Sequence, residues 1–64
     1  MKHPNHSEAR QADILNNGTR EQVIAWLQWN DANGVYTDEA SEAEGLEPLT
    51  LKDARSYMRN QLEA

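Results

Sequence analysis

A chain of 64 residues with no cysteine is one domain at most and has no disulfide or thiolate to reinforce it, so its stability must rest on a single small core. A net charge of -5 and a pI near 4.7 argue against a protein that grips a nucleic-acid backbone, because that mode of binding needs clustered positive charge. No run approaches the ~20 apolar residues of a membrane span, the start MKHPNHSEARQAD lacks the apolar stretch of a secretory signal, and cysteine-free chains suit a reducing compartment, so the protein is expected to be soluble and cytoplasmic.

The net charge is concentrated. Asp31, Asp38, Glu39, Glu42, Glu44 and Glu47 occupy one stretch without a lysine or arginine, whereas the other acids are balanced by the basic residues around them.

Residues 1–6 are polar around Pro4 and read as a disordered lead, leaving 7–64 as a single helical domain. A first helix is expected to start after Ser7, a good N-cap type, with Glu8 favourably placed against the helix dipole. It should end near Asn16, with Asn17-Gly18 as the stop. Ala9, Ala12 and Leu15, with Ile14 beside them, form its thin apolar stripe.

Thr19 and Gln22 make a capping box, in which hydroxyl and amide side chains satisfy backbone donors reciprocally. The helix that follows, through Asn30, holds both tryptophans. At about 100° per residue, Val23 and Leu27 define its inward centre, Ile24 and Trp26 its flanks, and Ala25 and Trp29 a further extension of the apolar arc. Such a helix is either contacted from two sides or incompletely covered.

Asn33-Gly34 is a turn signal through tolerance of positive φ, and Val35 and Tyr36 are expected to dock from it. Thr37 should cap a short helix with Asp38 and Glu39 in its first turn and Gly45 at its end. Leu46 and Leu49 look like anchors. Thr50 caps a last helix, with Leu51, Ala54, Met58 and Leu62 on one face and Tyr57 at its edge. That face should pack on Val23 and Leu27. Beside it, Lys52, Arg55 and Arg59 form a basic strip expected to meet the acids of Asp38 to Glu47. The fold class expected is therefore all-α: a small three-helix domain with an acidic turn or short extra helix between helices two and three.

Chemistry-bearing motifs are sparse. The stretch DANGVYTDEA resembles part of an EF-hand calcium loop, with Asp31 and Asn33 at ligand positions and Gly34 at the sharp turn. That register places Trp29 and Ala40 where the first aspartate and the bidentate glutamate belong, and restarting at Asp31 recovers Glu42 but puts Tyr36 at the glycine. A degenerate calcium loop at Asp31 to Glu42 is thus a subsidiary reading. Met1-Lys2-His3 offers amino, amide and imidazole nitrogens in a pattern suited to Cu(II) or Ni(II), with His6 as a further candidate ligand. No serine has a histidine near it in sequence, and solvated carboxylates do not split into acid and base. No catalytic residue and no cofactor are assigned.

Trp29 is the remaining clue. Either helix one or the turn covers it, or it forms a contact patch with Ala25, rimmed by Gln22 and Asp31. The function expected is a non-catalytic protein-interaction module, in general appearance resembling small bacterial or phage-type proteins. It would contact a protein partner or a second copy through Trp29, Ala25, Asp31, Asp38, Glu39 and Glu42, with no direct nucleic-acid or membrane contact. An acidic mimic that occupies a DNA- or RNA-binding protein is the alternative.

Overall fold

The computed structural model describes residues 7–63. Among them the fold is all-α, with helices α1 (Glu8–Asn17), α2 (Arg20–Asn30), α3 (Asp38–Ala43) and α4 (Leu51–Glu63) and no strand. The three longer helices form the framework, and the expected extra helix is the six-residue α3. The lead and the Met1-Lys2-His3 and His6 nitrogens lie outside the described residues.

Each helix starts where a hydroxyl can satisfy a backbone donor. Ser7, Thr19, Thr37 and Thr50 accept from the amides of Arg10, Gln22, Ala40 and Asp53 at 3.1, 3.2, 3.1 and 3.1 Å. Thr19 completes the capping box, its own amide donating to Gln22 Oε1 at 2.9 Å. Caps of this kind contribute ~1 kcal/mol each, a large share of what a chain this short can muster.

The core is one cluster of Ile14, Val23, Ile24, Trp26, Leu27, Tyr36, Ala54 and Met58, with Leu15, Leu49 and Leu51 packed against it. Val23 and Leu27 are fully buried, as are Ala54 and Met58 on α4, so the α2–α4 seam is the one expected. In α1, however, Ile14 is the buried residue while Ala9 and Ala12 are exposed. One isoleucine buries more apolar surface than two alanines, and that difference sets the rotation of the helix.

Helices α2 and α4 run parallel. Arg20 at the start of α2 donates through Nε to the carbonyl of Leu49, just before α4, at 2.7 Å. At the other end Asn30 Nδ2 donates to Gln61 Oε1 at 2.7 Å. Parallel neighbours need a connection that travels back the length of a helix, and the segment 31–50, with α3 in it, is that crossover.

Two glycines are needed for reasons other than the tolerance of positive φ expected at Asn33-Gly34. Gly18 has φ -71°, and a Cβ built there would lie 2.4 Å from the carbonyl oxygen of Ile14. At Gly34 a Cβ would lie 2.2 Å from Cε2 of the Tyr36 ring. Close approach, not handedness, selects glycine at both. Among the described residues the left-handed conformation occurs at Gly45, φ 70°. There the amides of Gly45 and Leu46 donate to the carbonyls of Glu42 and Ser41 at 3.1 and 2.8 Å, the pairing of a Schellman motif that closes α3.

Of the two expected anchors, Leu49 packs against the core and Leu46 does not. Leu46 is 58% exposed because the α3 residue that such a motif would offer it as an apolar partner is Ser41, itself buried. Leu62 also lies exposed in the last turn of α4. The basic strip does not reach the acids: among the described residues Lys52, Arg55 and Arg59 form no ion pair. Arg20 does so instead, through Asp38 Oδ1, as the first residue of α2 reaching the first residue of α3.

Candidate functional site

The surface with most unburied apolar character is the outer side of α2. Taking Val23 and Leu27 as the inward direction and turning about 100° per residue, Ile24 and Trp26 fall on opposite flanks and Ala25 at the back. Glu21 and Gln28 lie beyond Ile24, while Gln22 and Trp29 lie beyond Trp26. Ala25 is exposed and forms a ridge between two different surfaces.

On one side of the ridge is Trp29, 52% exposed and tilted against Trp26 with ring centroids 6.4 Å apart. Trp26 is 5% exposed. Its indole N–H is buried with no hydrogen-bond partner, an arrangement that costs ~1–3 kcal/mol and shows how strongly burial of the ring is favoured. The alternatives left open for α2 thus resolve into an incompletely covered helix.

On the other side is an open groove of about 330 Å³ between α2 and the start of α3, with Ile24, Ala25 and Gln28 facing Thr37, Asp38 and Glu39. Arg20 and Glu21 complete its wall at the start of α2. Arg20 is held by Asp38 and the Leu49 carbonyl, whereas neither Glu21 nor Glu39 has an ion-pair partner among the described residues. The groove is therefore acidic over an apolar floor.

The residues named from sequence are not all gathered together. Ala25, Asp38 and Glu39 share the groove, Trp29 lies across the ridge, and Glu42 is exposed farther along α3. Asp31 belongs to neither surface. Its carboxylate accepts from the Tyr36 hydroxyl at 2.8 Å, and that hydroxyl accepts from Gln61 Nε2 at 2.7 Å. With Asn30, these side chains form a relay that ties the ends of α2 and α4 to the crossover. No group of three or more His, Asp or Glu among the described residues is placed to hold a metal ion. Arg20, which shapes the groove, was not singled out in the sequence. Its only local signal is its place immediately after the Thr19 cap.

The relay carries a pH signature. Burial, and then the hydrogen bond to Asp31, raise the Tyr36 pKa above its ordinary value of 10.0. Folding favours the protonated phenol, so this contribution is fully present below pH ~10 and is lost as pH rises through the folded-state value. Stability measured by urea titration should fall above pH 10, and Tyr36→Phe should flatten that decline while lowering stability at pH 7 by about 1 kcal/mol. An unchanged alkaline slope in Tyr36→Phe would assign the decline to other groups.

The fold and this surface define a small all-α domain with an uncovered aromatic patch and a neighbouring acidic groove. No protein-family model matches the chain, and no curated protein or solved structure matches it at a significant level. Among the described residues no helix is long and apolar enough to cross a membrane.

Proposed function

We propose that the protein is a non-catalytic, cytoplasmic interaction module that binds another protein, or a second copy of itself, across the outer face of α2 and the adjoining α3. The observation that carries this reading is Trp29, half exposed on a helix whose other large apolar residues are buried. Tryptophan left at a surface is the residue type most enriched at binding hot spots, and here it stands beside Ala25, whose small side chain lets a partner approach the helix closely. The acids Asp38, Glu39 and Glu42 supply the polar border on the α3 side. Asp31 is engaged by the Tyr36 hydroxyl and stands outside this border.

The nucleic-acid mimic is less well supported. It needs the six acids of the middle segment to project as one array, yet Asp31 and Asp38 are engaged within the fold by Tyr36 and Arg20.

Trp29→Ala tests the proposal. The substitution removes a half-exposed ring and its contact with Trp26, so it should lower stability by about 1–2 kcal/mol and leave the chain folded. A protein recovered from a host lysate by the wild-type chain should be lost with the Trp29→Ala chain, and calorimetry with that purified partner should show at least a tenfold loss of affinity. Equal binding by both chains would remove Trp29 from the contact.

A further inference from the structure

We infer that the acidic groove between α2 and α3 receives the basic strip of α4 from a second copy of the chain, making a head-to-tail contact. This deepens the interaction reading for the acidic side of the Ala25 ridge and does not involve Trp29.

Both halves of the contact are present on one molecule and neither is satisfied within it. Across the groove, Glu21 on α2 and Glu39 on α3 have no ion-pair partner among the described residues, and Ile24 and Ala25 form an apolar floor. On α4, Lys52 and Arg59 are exposed and Arg55 is half-buried, with its Nε lacking a hydrogen-bond partner. Lys52, Arg55 and Arg59 recur at helical spacing and so share one side of α4, a strip ~10 Å long. The groove wall from Glu21 to Gln28 spans the same seven-residue interval and hence the same length. Lysine and arginine lay their aliphatic stems along apolar surface while keeping the charged head near polar groups, which is what a floor of Ile24 and Ala25 between two carboxylates accommodates.

The two surfaces cannot meet within one chain. The groove lies beyond the Ile24 flank of α2, whereas Lys52 and Arg59 turn away from the α2–α4 seam by more than 100°. The groove and the strip are different surfaces, so the contact is heterologous, and association continues past a dimer unless the ring closes.

Sedimentation of the intact chain tests this. At about 0.01 M salt, where the screening length is ~30 Å, the average mass should rise with protein concentration, and at about 1 M salt, where it is ~3 Å, the protein should return to monomer. Glu21→Lys with Glu39→Lys should abolish the association, as should Lys52→Glu with Arg59→Glu. Mixing these two double variants should restore it, because each then meets a complementary surface. Circular dichroism verifies the fold of both, and Glu21→Gln with Glu39→Gln replaces the first should its helix content fall; that substitution should weaken association at least tenfold. Association unaffected by Trp29→Ala separates this contact from the Trp29 patch. A wild-type chain that stays monomeric at low salt overturns the inference, as does association that survives either reversal or is lost with Trp29→Ala.

Discussion

Leu27→Ala is expected to leave most of the chain unfolded at 25 °C. Leu27 is fully buried at the centre of α2, where its truncation removes transfer free energy and leaves a cavity that neighbours fill only in part, at a cost of ~2–5 kcal/mol. A single core in a chain shorter than 70 residues seldom supplies more than about 3–5 kcal/mol, so one such loss consumes nearly all of it. Far-UV circular dichroism should show the helices largely melted, with amide resonances collapsed into the unfolded range. Leu46→Ala is the matching control, because Leu46 is mostly exposed and its truncation should change stability by less than about 0.5 kcal/mol. Comparable losses in the two variants would contradict the placement of the core on the α2–α4 seam.

Gly18→Ala has the second largest expected effect. Alanine is ordinarily accepted at the backbone angles of Gly18, and in an unfolded chain it even reduces the entropy lost on folding. Here the added methyl meets the carbonyl oxygen of Ile14, the same oxygen that accepts the Gly18 amide at 2.9 Å. The obstacle is backbone, so relief requires α1 to shift relative to α2, and Ile14 with it. Overpacking of this kind costs ~1–3 kcal/mol, and in a domain of this size each kcal/mol lowers Tm by about 4–8 °C. A drop in Tm of about 10–20 °C is therefore expected by thermal denaturation. Gly45→Ala should cost only ~1 kcal/mol, since no atom obstructs that position and the penalty is the left-handed backbone alone. A Gly18 variant more stable than the Gly45 variant would mean that the link between α1 and α2 is looser than described.

Local motifs are what the sequence makes legible. Thr19 and Gln22 are three residues apart, and their capping box needs only each other, so it is readable directly. The hydroxyl caps at Ser7, Thr37 and Thr50 are local in the same sense, and Val23 and Leu27 follow from helical periodicity. Gly18 and Gly34 meet the Ile14 carbonyl and the Tyr36 ring, neighbours in sequence as well, but those contacts depend on backbone angles and a ring orientation that residue identity does not give.

Arg20 illustrates the same limit more strongly. Its partners Asp38 and Leu49 are 18 and 29 residues away, so both contacts emerge only once α2 and α4 are known to run parallel. The expectation that Lys52, Arg55 and Arg59 meet the acids rested on charge alone and placed the wrong arginine. The candidate site was legible as an excess: α2 carries more apolar surface than one packing face uses. Which part of that excess stays outside is decided by the packing of the whole fold, which buries Trp26 and leaves Trp29 half exposed.

Trp26 closes the core while Trp29 stands outside it. The most direct measurement is the response of the two indole N–H resonances of the wild-type chain to a paramagnetic cosolute. The Trp29 signal should broaden strongly, since half of its surface is exposed, whereas the Trp26 signal should remain sharp. Two signals protected alike would show the apolar arc of α2 to be fully covered, with Trp29 inside the core.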